Sequence, residues 1–363
     1  MVRENITFRA VVAAMLVCLQ LVAAGCAGVG PAMVNRDRFD YTKALSDSWK
    51  SQMLVNIVKL RYGDAPVFLD VSSVITSYEI SSRGNAGASF KFDPFYETGG
   101  NIGGDIFSAN RPTITYSPLI GEKFARSMMA PVPPAAILSL VQSGYPVDLV
   151  FRVLVQSVNG VRNSYGGRAA GFPADPEFFP LLEKLRRIQR SGAIGLRVQK
   201  TKQDEATLLV FRGKTSEEIE ADRLEVRRIL GLNPEALEFR VVYGLLPSDE
   251  QEIAILSRSM LQILVDFASR IEVPDADVEE KRVAPTVKDD NGSGSPVAPL
   301  IRVHSSLQMP EDAFVSVPYG HRWFWIDDRD IQSKQIFSFL MFIFTLVETG
   351  GKEGAPVVTV PVR

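Results

Sequence analysis

Cysteine is almost missing from this chain. Its 363 residues hold two, Cys18 and Cys26, both near the N-terminus. Past position 26 there is no thiol for a disulfide, a thiolate nucleophile or a soft metal ligand. A chain of this length buries enough surface to fold without such staples. Histidine is equally scarce. His304 and His321 stand 17 positions apart among aromatic and strand-forming residues, with no Glu or His at ligand spacing, and both read as structural. No phosphate loop, dinucleotide glycine pattern or G-x-S-x-G elbow occurs. Excess charge is lacking as well: 40 Lys and Arg against 42 Asp and Glu leave a net −2, which argues against nucleic acid as a partner. Nor does any apolar run reach the about 20 residues that a membrane-spanning helix needs. Phe337–Val347 has only 11 and reads as a buried helix. At 46% hydrophobic and 23% charged, the chain has the composition of a protein with a proper core.

What is present begins at the N-terminus. Arg3 and Arg9 precede a 16-residue run, Ala10–Gly25, interrupted only by Gln20. A basic start and a short apolar core identify a targeting segment rather than part of the fold. The run ends in "LVAAGC", where Ala24 and Gly25 stand before Cys26. This resembles the lipobox of bacterial lipoproteins, although Ala23 occupies a place where Leu is commoner. The resemblance implies cleavage between Gly25 and Cys26 and acylation of the Cys26 thiol and new amino group. Cys18 is a poor rival because Val17 before it is not small. Ala27, not Asp, follows Cys26, and by the enterobacterial sorting rule this implies the outer membrane, periplasmic face. Two or three acyl chains meet the condition for stable anchoring, at about 0.8 kcal/mol per buried CH₂.

The body that follows reads as α+β. Residues 1–25 form the signal peptide and 26–34 a short tether, whose eight residues after Cys26 reach at most about 28 Å. Residues 35–273 form the main body. A helix is predicted from Arg36 to Leu60, with Leu45, Trp49, Met53 and Ile57 recurring every four residues. Val67–Ile75 reads as a strand. Then "SYEISSRGNAGASFKF", Ser77–Phe92, alternates strictly, with Tyr78, Ile80, Phe90 and Phe92 in one parity. Asn101–Tyr116 alternates too, with Ile102 and Ile106 in one parity. The two are predicted to pair as a long β-ribbon over 76–117, whose candidate interaction residues are these six. Its glycines, weak in strands, require a reason: close backbone approach, mobility, or membership of a multi-chain barrel.

Three short helices are predicted in 121–160, a helix near 175–192, a hairpin from "IGLRVQK" and "ATLLVFR", and a helix 216–230 opened by Thr215 and Glu218 as a capping box. "EFRVVYGL" reads as a strand, and Ser248–Ile271 as one long helix. Residues 274–299, rich in Pro, Gly, Ser and charge, read as a disordered linker. Residues 300–363 read as strands and a buried helix that pack on the body.

Three blocks, "SQMLVNIVKLRYGDAPVFLDVSSV", "RPTITYSPLIGEKF" and "RWFWIDDRDIQSKQIFSFLMFIF", resemble an uncharacterised family of lipoproteins from Gram-negative envelopes. The resemblance implies the location and supplies no activity, catalytic residue or cofactor. Asp327, Asp328 and Asp330 form the best polar cluster. They are expected to cap the following helix rather than to hold Ca²⁺, which takes six to eight oxygens. "RYGD" is expected to make turn hydrogen bonds and ion pairs. No cofactor or metal site is expected.

Three functions follow. The first is a lipid-anchored structural or interaction protein, a subunit or accessory of an outer-membrane assembly with a protein partner or its own copies. The second is an oligomeric pore or secretion-channel subunit that inserts the ribbon. The third is an enzyme on envelope polymers, which would have to gather Asp64, Asp327 and Asp328. The absence of a catalytic constellation favours the first.

Overall fold

The computed structural model describes residues 29–75, 78–88, 100–110, 113–167, 172–200, 205–211, 215–287, 297–348 and 358–361. Helix α1, Val29–Arg61, opens the described chain. It begins at Val29 rather than at Arg36, so residues 29–34 of the expected tether are helical. Pro31 allows this because a first-turn proline lacks only an N–H that the helix does not use. Between Asp37 and Ser48 no residue is fully buried, whereas Met53, Leu54, Ile57 and Val58 sit in the core. The helix stops at Gly63, whose φ of 76° lies in the left-handed region that a side chain would resist.

Next come β1 (Phe68–Ile75), β2 (Tyr78–Ala88), β3 (Gly100–Asn110) and β4 (Thr113–Leu119). Helices α2 (Glu122–Met129), α3 (Pro134–Gln142) and α4 (Val147–Leu154) follow. The third predicted helix ends early: Val155–Val158 is a strand, β5, which turns at Asn159-Gly160 into β6, Val161–Arg162. Asn-Gly is a hairpin signal, and the β-branched residues before it extend accordingly. Helix α5 is Phe178–Arg190, β7 and β8 are Ile194–Lys200 and Glu205–Phe211, and α6 is Glu217–Leu230. The α6 cap is Ser216 rather than Thr215; its side chain accepts from the Ile219 N–H.

The predicted helix Ser248–Ile271 is instead two elements. After β9 (Glu238–Tyr243), Glu252–Ser257 is strand β10 and Met260–Ser269 is helix α7, opened by a Ser259/Gln262 capping box. Strand β10 lies inside a six-stranded sheet of order β6-β5-β10-β9-β8-β7 and pairs parallel with β9. Such a strand is buried on both faces, so its apolar run has no alternation to separate it from a helix. The connection from β9 to β10 takes only residues 244–251, shorter than the usual helical crossover.

Residues 274–287 depart from the expected linker. Asp275–Glu279 forms α8, Val283 is buried, and Val287 N–H donates to the Ser269 carbonyl at 3.0 Å. Tyr62 donates to Asp277 at 2.7 Å and Arg61 to the Ala284 carbonyl at 2.6 Å. Burial and the Asp277 hydrogen bond hold the Tyr62 phenol above its ordinary range. Composition marked the segment as polar, but two residues of "RYGD" fasten it to α1. Residues 288–296 of the expected linker lie outside the described residues.

A three-stranded antiparallel sheet of order β11-β13-β12 follows, made from His304–Ser306, Ala313–Tyr319 and Arg322–Asp327 as β11, β12 and β13. Helix α9 is Ile331–Glu348 and β14 is Val358–Pro361. One cluster of buried apolar side chains joins α1, the six-stranded sheet, α7, β12, β13 and α9, from Met53 to Phe344. The fold is α+β, as its sequence pattern predicts. Among the described residues no helix is long and apolar enough to cross a membrane.

Candidate interaction ribbon

Strands β1 and β2 together face β4 and β3 in one register. Ser73 opposes Thr115, and the same offset takes Ile75 to Thr113, Tyr78 to Asn110 and Ala88 to Gly100. The only shift lies nearer the body, between Val71 and Ser73. The result is a hairpin-like ribbon whose base belongs to the body and whose outer part, β2 and β3, forms a two-stranded sheet of its own. At about 3.3 Å per residue the 11-residue outer strands are roughly 36 Å long.

Each edge of the base is covered over part of its length. On one side β14 pairs with β4, Val358 facing Tyr116 and Val360 facing Ile114. On the other, α1 supplies side-chain amides in place of a strand. Asn56 donates to the Val67 carbonyl at 2.7 Å and accepts from the Val67 N–H at 2.8 Å. Gln52 does the same at Leu69, donating at 3.0 Å and accepting at 2.6 Å. The spacings match: four helical residues rise about 6 Å and two strand residues about 6.6 Å. Between them Phe68 turns inward, 2% exposed, against Phe124 and Phe344.

Farther out this cover ends. Among the described residues no strand pairs with the outer edge of β2 or of β3. Each therefore has a row of backbone donors and acceptors with no strand partner among the described residues, which is a template for another strand. The register also sorts the residues. Tyr78, Ile80 and Ala86 share a face with Ile106 and Ile102, through the pairs Ile80–Ser108, Ser82–Ile106 and Ala86–Ile102. The opposite face holds Glu79, Arg83 and Asp105, with Arg83 directly across from Asp105. Tyr78, Ile80, Ile102 and Ile106 of the predicted interaction set are thus brought to one face. Phe90 and Phe92 lie outside the described residues, as do Gly25 and Cys26. At the glycines, Gly84 faces Gly104 and Asn85 faces Gly103, giving one zone of small cross-strand pairs.

The polar clusters are fully engaged. Asp327 accepts from the Arg329 N–H at 2.8 Å, which holds its carboxyl below the usual range. Lys334 donates to Asp328 at 2.7 Å. Asp330 accepts from the Ser333 N–H at 3.1 Å and hydroxyl at 2.7 Å. Burial pushes the Asp330 carboxyl up, but these hydrogen bonds, with Arg302 nearby, outweigh it and the net displacement is downward. Asp330 therefore caps the first turn of α9, as the sequence leads one to expect, and Asp328 braces it through Lys334, whereas Asp327 closes the turn at Arg329 before the helix. Asp64 lies beside Tyr319 at one end of the β12–β13 hairpin, whereas Asp327 pairs with Ala313 at the other. Asp64 is therefore not brought together with Asp327. His304 meets Glu272 at 2.9 Å and packs on Trp325. Among the described residues no group of three or more His, Cys, Asp or Glu is arranged to hold a metal ion.

The amide clamp was missed from sequence. Its one signal was the pair Gln52 and Asn56, polar residues four apart on the face that otherwise carries Met53 and Ile57. No family model matches this chain, and neither a curated protein nor a solved structure does.

Proposed function

We propose that this is a lipid-anchored protein of the Gram-negative outer membrane, acylated at Cys26 and facing the periplasm, whose work is binding rather than catalysis. It serves as a subunit or accessory of an envelope assembly and belongs with the lipoproteins its sequence blocks resemble. The observation that carries this reading is the ribbon, held at its base and, among the described residues, unpaired along the outer edges of β2 and β3. A two-stranded ribbon is marginal alone in water, and strand addition gives it the missing hydrogen bonds. The part of α1 that precedes its core residues sets the body's distance from its anchor, about 30 Å over some 20 helical residues.

The test is photocross-linking in cells that produce the acylated chain, with the reactive group at position 84 or 104. Covalent adducts through the ribbon are expected. Recovery of the uncross-linked single chain alone counts against binding, and a Cys26 thiol found unmodified by mass spectrometry removes the location.

A further inference from the structure

We infer that the strands completing the ribbon come from further copies of this chain, so that the outer hairpins close into one membrane-embedded β-barrel. This rests on the reading that the ribbon pairs by strand addition, and it names the partner.

Length is the first argument. Strands β2 and β3 have 11 residues each, and a tilted strand crossing a bilayer takes about 9–11. The second is sidedness. All three charged residues of the paired span, Glu79, Arg83 and Asp105, lie on one face, while the face of Ile80, Ile102 and Ile106 carries none. That face also holds Ser82, Ser108 and Asn110, so it is the one-sided placement of charge that matches a strand with lipid on one side and water on the other. Third, the two open edges complement one another. Because β2 and β3 run antiparallel, the β2 edge of one copy meets the β3 edge of the next antiparallel as well. This contact is head-to-tail, and such contacts close into rings when the rotation permits. Closure into a barrel needs a stagger between copies, and a stagger of an even number of residues keeps Arg83 and a neighbour's Asp105 on one face, where their charges alternate around the polar side. Finally, closure is the only way for a β-structure to satisfy its backbone in lipid.

The acylated full-length chain in mild detergent is the material for the test. Light scattering is expected to give the mass of many copies, and the particles are expected to conduct ions across a planar bilayer. Two neighbouring substitutions then separate the faces. Ile106→Arg puts a cation on the lipid side near mid-strand and is expected to reduce the assembled fraction roughly 30-fold or more. Phe107→Arg, on the opposite face, is expected to preserve assembly and alter conductance. A circular dichroism melt checks that the body of each variant is folded. A single-copy mass for the wild type overturns the inference, and so does equal loss from both substitutions. If that single copy still cross-links in cells to a different protein through the ribbon, strand addition survives and only the partner is wrong. If it cross-links to nothing, both readings fall.

Discussion

Asp222 shows what one residue contributes here. Arg187 donates to both of its oxygens at 2.6 Å, and this holds the carboxyl below the usual range. A depressed pKa stabilises the fold fully above the ordinary carboxylate value, and the contribution is lost as pH falls through the lowered one. Asp222→Asn is therefore expected to cost about 1–2 kcal/mol at neutral pH, a modest figure because the half-exposed Arg187 is screened by water. The gap to wild type should begin to narrow as pH falls below about 4 and close only below the lowered pKa. Urea titrations at several pH values measure both. Asp266 is a stronger case. It is 4% exposed, meets Arg258 at 3.2 Å and Arg270 at 3.0 Å, and accepts from the Gly166 N–H at 2.7 Å. Removing one member strands buried charge, so Asp266→Asn is expected to cost about 3–5 kcal/mol by chemical denaturation. The Arg187–Asp222 pair was not legible because its members lie 35 positions apart; Arg258 and Arg270 stand only 8 and 4 positions from Asp266, but its burial and its bond to Gly166, 100 positions away, come from the fold.

At the scale of elements, the ribbon base depends on the α1 amides. Asn56 is 1% exposed and satisfies both backbone groups of Val67. Asn56→Ala leaves them without that partner and is expected to cost about 2 kcal/mol. Amide exchange at Val67 should quicken by more than at residues of the six-stranded sheet. Unchanged exchange there would mean that Phe68 and its aromatic neighbours hold β1 by themselves. Legibility varied among elements for a physical reason. Strands β7, β8, β12 and β13 were readable because turn residues bound them and β-branched and aromatic residues fill them. Strand β10 was not, since "EIAILS" has all its residues but one buried and no period to read. The segment 274–287 was misread because its polar composition suits solvent, while its fastening comes from Arg61 and Tyr62 on another element.

For the molecule as a whole, the structure separates a cored body from a projecting ribbon, and this division is testable. Ile75 and Thr113 already face each other, so the outer hairpin can be cut there and closed with a two-residue Asn-Gly turn. The truncated chain is expected to melt within about 4 °C of wild type, the shift that about 1 kcal/mol produces in a domain of 150–250 residues. It is expected to lose every ribbon-dependent cross-link. A much larger fall in the melting point would mean that β2 and β3 support the body.

The amino-acid sequence by itself determined the local terms: the α+β character, the strict alternation that makes β2 and β3 strands, and the lipobox-like run ending at Cys26. These depend on spacing along the chain, and spacing is what a sequence records. Tertiary structure decided which edges are covered. That the base of the ribbon is held by Gln52, Asn56 and β14, while among the described residues no strand pairs with its outer edges, depends on hydrogen bonds between distant segments. Their partners are chosen only when the core brings α1, β4 and the C-terminal strand together.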